Sequence, residues 1–81
     1  MGSRNTNRGP HVGDMVVLTE MPSGLLNGLP PEDQTAITEM VGTPVLLSDY
    51  DNAGRAELEF TDSRGHVHYV YVDPSLIRAA S

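Results

Sequence analysis

Two histidines separated by one residue, His66-Val67-His68, are the first candidates for chemistry, because on a strand both imidazoles leave the same face and could hold a metal together. A competent site needs a third and usually a fourth ligand. His11 belongs to the N-terminal arm and no second ligand cluster is visible, so His66 and His68 remain weak candidates and are read as solvated or packed side chains; no metal is expected. Glu57 and Glu59 have the look of a catalytic carboxylate pair. Acids at i and i+2 are also the ordinary way to keep a strand face wet, and neither has a visible partner to shift its pKa. Ser23, Ser48 and Ser63 are turn residues without a strand-to-helix elbow, and Gly24-Leu25-Leu26-Asn27-Gly28 lacks the spacing of a phosphate loop and has no following lysine. No cofactor is expected and no catalytic residue is assigned.

The element that must position these groups is a hairpin. Ala56-Glu57-Leu58-Glu59-Phe60 alternates with period two, Thr61-Asp62-Ser63-Arg64-Gly65 is a glycine-ended turn, and His66-Val67-His68-Tyr69-Val70-Tyr71-Val72 alternates again. With Phe60 opposite His66, the residues Ala56, Leu58, Phe60, His66, His68, Val70 and Val72 share the core face. Glu57 and Glu59 then share the outer face with Val67, Tyr69 and Tyr71, a partly apolar stripe of the kind that marks a contact surface. A slip of one residue would exchange the faces, setting both glutamates beside the histidines and both tyrosines in the core.

Upstream, Gly13-Asp14 introduces Met15-Val16-Val17-Leu18-Thr19, an apolar β-branched run predicted to be a strand buried on both sides. A long loop follows, in which Leu25, Leu26 and Leu29 either fold back over one end of the domain or dock against another chain. Pro30-Pro31-Glu32-Asp33 opens a helix over about 31–41, with Ile37, Met40 and Val41 as its apolar stripe and Gly42 as its stop. Thr43 to Tyr50 is a second strand beginning near Pro44, and Leu76-Ile77-Arg78 is one tight helical turn or a brief fifth strand.

The chain has 81 residues, so one domain with a thin core is expected, burying only about 60% of its unfolded surface. Residues 1–10 are predicted to be a disordered arm and residues 11–81 a single domain. There are no cysteines, which excludes disulfides and sulfur-ligated zinc. Arg4 and Arg8 lie in the arm, so the remaining chain sets three arginines against eleven acids, a net charge of −8. A field of that sign repels phosphate backbones and anionic lipid, so neither nucleic acid nor membrane is expected as a partner. No signal peptide or apolar span is present in the 81 residues, and a cytoplasmic location is expected.

The Gly13-Asp14 opening before an apolar strand, the long first loop, the hairpin-linked strands and the closing Val70-Tyr71-Val72-Asp73-Pro74-Ser75-Leu76-Ile77 resemble the SH3-like small-barrel plan over residues 13–78. The resemblance is closest to small, uncharacterised bacterial proteins of that fold. It implies a mainly β barrel of about five antiparallel strands, here with a helix inserted after strand one. It carries no activity, and with only Tyr50, Phe60, Tyr69 and Tyr71 as aromatics the chain lacks the cluster that grips proline-rich ligands.

Three functions follow as expectations. The first is a non-catalytic module that binds protein, most simply itself, through Val67, Tyr69 and Tyr71 with Leu25, Leu26 and Leu29. The second is an acidic or immunity-type protein that meets a basic partner with Asp49, Asp51, Glu57, Glu59 and Asp62. The third is an enzyme or small-ligand binder whose site, near His66, His68 and Tyr69, exists only at a subunit interface.

Overall fold

A computed structural model describes residues 10–80. Of the predicted arm, residues 1–9 lie outside the described residues; Pro10 is within them, and its carbonyl accepts the Tyr50 hydroxyl at 2.7 Å. The elements are β1 (Met15–Leu18), α1 (Pro31–Met40), β2 (Pro44–Tyr50), β3 (Ala56–Thr61), β4 (Val67–Val72), a 3-10 turn (Pro74–Leu76) and β5 (Ile77–Ala79). All strand pairings are antiparallel, and the strands form one sheet in the order β4-β3-β2-β1-β5. Architecture is thus mainly β with one short helix after the first strand. The hydrogen-bonded sheet does not close into the expected barrel: β4 and β5 are its two edges. No described helix is long and apolar enough to cross a membrane.

The helix starts where its prolines allow. Pro31 occupies the first turn, where a missing N–H costs nothing, and the Asp33 and Gln34 amides both bond the Pro30 carbonyl at 3.0 Å. It ends at Met40, one residue short of the predicted limit. Val41 is already extended, and Gly42, at φ +87°, turns the chain so that its N–H reaches the Leu18 carbonyl. Ala36, Ile37 and Met40 face the sheet and join Val16, Leu18, Val45, Leu47, Ala56, Leu58, Phe60, Val70, Val72 and Ile77 in one core. β1 is buried on both faces only over Val16, Val17 and Leu18; Met15, on the same face as Val17, is exposed, which corrects the expectation for the whole run. Of the two forms suggested for Leu76-Ile77-Arg78, the strand holds for Ile77 and Arg78, while the helical turn lies upstream, a 3-10 turn over Pro74–Leu76 capped by the Asp73 carboxylate.

Hairpin parity is as expected, but the register is not. Phe60 opposes His68, not His66, and Glu59 opposes Tyr69. The correction is two residues, which leaves every side chain on its expected face. Its cause lies in Asp62. The Asp62 Oδ1 accepts the Arg64 and His66 amides at 2.8 and 2.9 Å, while the Asp62 N–H donates to the His66 carbonyl at 2.9 Å. This side-chain turn closes the loop at Asp62 and His66, with Gly65 at φ +87° as its third and last residue.

Candidate interaction surface

Among the described residues, β4 has a partner on one side only. Its even-numbered residues direct their backbone toward β3, since the ladder runs through Asp62 with His66 and Phe60 with His68. Alternation then turns the N–H and C=O groups of Val67, Tyr69 and Tyr71 outward from the sheet edge. The side chains of the same three residues stand on the outer face, 51%, 56% and 42% exposed. One short segment therefore offers both an unpaired backbone edge and an apolar stripe. No proline or lysine blunts that edge, the usual protection of an exposed strand.

The acids sort into two kinds. Asp49, Glu57 and Glu59 lie on the outer face of β2 and β3, with Asp49 directly opposite Glu57. Like charges so placed repel, and hydrogen bonds offset the repulsion. Glu57 accepts the Ser48 hydroxyl at 2.7 Å and the Tyr71 hydroxyl at 2.5 Å, while Asp49 accepts the Tyr50 amide at 2.8 Å. Donation by Tyr71, then by Ser48, holds the Glu57 carboxyl below its ordinary range, and the same bond pushes the Tyr71 phenol up. Glu57→Gln should therefore lower the pH at which Tyr71 ionises. Ultraviolet titration of the variant against the parent chain checks this, and an unchanged or higher midpoint would contradict it.

Asp51 and Asp62 are not part of that face. Asp51 is turned into its own loop, where it accepts the Arg55 amide and guanidinium, and the Arg55 backbone N–H leads in holding its pKa down. Asp62 stands on the face of Phe60, with its side chain only 10% exposed. Its Oδ2 accepts from His68 Nε2 at 2.8 Å, and the other His68 nitrogen lies 3.7 Å from Asp33 Oδ1 at the start of α1. The His68 ring also stacks on Phe60, with centroids 5.3 Å apart. His68 thus joins the hairpin tip to the helix. The hydrogen bond from His68, followed by the amides of the turn, pulls the Asp62 carboxyl far below the usual aspartate range.

His66 is exposed at the turn, its Nδ1 3.9 Å from Asp62, and no group of three potential metal ligands occurs among the described residues. Leu25, Leu26 and Leu29 are half-buried and pack against the core, so the first loop folds back over the domain. Asp33 was not singled out from sequence, because 35 residues separate it from His68 and only the packing of α1 brings them together. The aspartate of the Asp62-Ser63-Arg64-Gly65 turn carried a readable signal, since such a residue commonly binds amides of its own turn.

No protein-family model, curated protein or solved structure matches this chain. Function therefore rests on the geometry of this surface.

Proposed function

We propose that the chain is a non-catalytic protein-interaction module that self-associates by pairing β4 with β4 of a second copy. The observation that carries this reading is the coincidence, on Val67, Tyr69 and Tyr71, of outward backbone groups and exposed apolar side chains. Antiparallel pairing about a two-fold axis at Tyr69 sets Val67 against the partner's Tyr71 and makes every new contact twice, as an isologous interface requires. Charge does not forbid it. Each Glu59 lies one strand inward, so it stands three strand spacings from its counterpart, about 14 Å, beyond the screening length of about 8 Å at physiological salt. A domain with so thin a core also gains stability from association. Five antiparallel strands with one helix after the first, its apolar residues joining the core, support an SH3-like plan for each subunit.

Tyr69→Lys tests the proposal. It places two like charges at the centre of the paired edge while leaving the ladder to β3 intact. Light scattering should give a dimer for the parent chain and a monomer of unchanged circular dichroism for the variant. A parent chain that stays monomeric at about 1 mM, a concentration that reveals even weak pairing, would refute the reading.

The Asp49, Glu57 and Glu59 cluster beside Tyr69 favours a second reading, an acidic face that meets a basic protein. That reading requires association whose rate falls steeply with added salt.

A further inference from the structure

The ladder between β2 and β3 stops early. It ends at Leu46 and Glu59, although β2 continues to pair with β1 as far as Pro44, and β3 with β4 as far as Thr61. The next bonded pair in that ladder would be Pro44 with Thr61, and Pro44 has no N–H to give. Because Asp62 bonds toward β4, alternation turns the Thr61 backbone N–H and C=O into the gap. Neither has a backbone partner across it among the described residues.

The gap opens into a cleft of about 420 Å³, within the range of sites that hold ligands. Met15, Pro44 and Leu46 supply apolar wall, and Glu39 of α1 and Glu59 of β3 supply carboxylates. Met15 is 48% exposed there. No salt bridge or side-chain hydrogen bond engages Glu39 or Glu59 among the described residues, in contrast to Glu57, Asp51 and Asp62. Arg64 lines an adjoining pocket with Glu39 but forms no ion pair with either acid among the described residues.

We propose that this cleft docks a short extended segment of a partner protein, whose backbone pairs with Thr61 and whose lysine or arginine side chain lies between Glu39 and Glu59. Backbone pairing supplies the register, and Met15 and Leu46, in one cross-strand row with Glu59, set an apolar wall beside that carboxylate, as in other cases of strand addition. Cationic side chains are selected because an acidic or neutral one would leave both carboxylates uncompensated. The pairing groups of the site belong to β3, not to the outer edge of β4, although Glu59 stands opposite Tyr69, and docking does not depend on self-association.

The probe is the blocked pentapeptide acetyl-Val-Arg-Val-Lys-Val-amide, titrated into the full nitrogen-15-labelled chain, with the Glu-for-Arg and Glu-for-Lys peptide as its control. Saturable amide shifts are expected at Thr61 and at its neighbours Val45, Leu46 and Glu59, with none for the acidic peptide. The double variant Glu39→Gln, Glu59→Gln should keep a folded spectrum and bind about three- to thirtyfold more weakly, the effect of two partly exposed ion pairs. Tyr71→Ser, which alters the β4 stripe opposite Glu57 and away from Thr61 and Glu59, should bind as the parent does. Equal binding of both peptides, shifts centred on Val67, Tyr69 and Tyr71, binding unchanged in the glutamine variant or lost in Tyr71→Ser, or no shifts at about 5 mM peptide would each overturn the proposal.

Discussion

Leu58→Ala is expected to remove a large part of the stability of this domain. Leu58 is fully buried on β3, flanked by Leu47 on β2 and Val70 on β4. Truncating such a leucine costs about 2–5 kcal/mol, through lost burial and the cavity left behind. A domain of this size has about 4–12 kcal/mol in total, at roughly 0.05–0.15 kcal/mol per residue, so the variant approaches the unfolding threshold. Thermal melts at matched protein concentration should show the midpoint falling by about 10 °C or more. The concentration must be fixed, because pairing through β4 would raise the apparent stability of both chains by mass action. Glu59→Ala, one residue along on the wet face, should move the midpoint far less. Comparable losses for the two variants would mean that β3 does not present Leu58 to the core.

The second large effect belongs to Asp62, whose carboxylate has two tasks. One oxygen binds the Arg64 and His66 amides and shapes the turn; the other holds His68, which stacks on Phe60 and faces Asp33. Asp62→Ala removes both tasks and Asp62→Asn mainly the second, because the amide oxygen can still accept from the turn. Stability should therefore fall in the order parent, asparagine variant, alanine variant. The pH dependence has a definite sign. Because the folded state depresses this carboxyl, the folded chain binds fewer protons than the unfolded one through the aspartate range. Its stabilisation is complete above that range and is lost as the pH falls below about 5 toward more acid values. Asp51, Glu57 and Asp73 are depressed as well, so the variant keeps part of the acid slope. Urea midpoints between pH 3 and 7 should show a shallower decline for Asp62→Asn than for the parent chain. Parallel curves would remove Asp62 from the acid response.

Residue order alone was enough to place the strands, the helix and the side chains that share a face within each strand, because each depends on local periodicity. Alternation in Ala56 to Phe60 and in His66 to Val72 assigned leucine, valine and phenylalanine inward and the glutamates and tyrosines outward, and a slip of two residues leaves that assignment untouched. What only the tertiary structure decided were matters of long separation and of hydrogen-bond geometry. Asp33 meets His68 because α1 packs over the hairpin, and no local pattern couples two residues that far apart in the chain. The register followed the Asp62 side chain, which competes with the ladder for the turn amides. Sheet closure and the parting of β2 from β3 were equally hidden, since the edges of a sheet are settled by which strands meet in space, and backbone groups in the gap carry no signature in side-chain type.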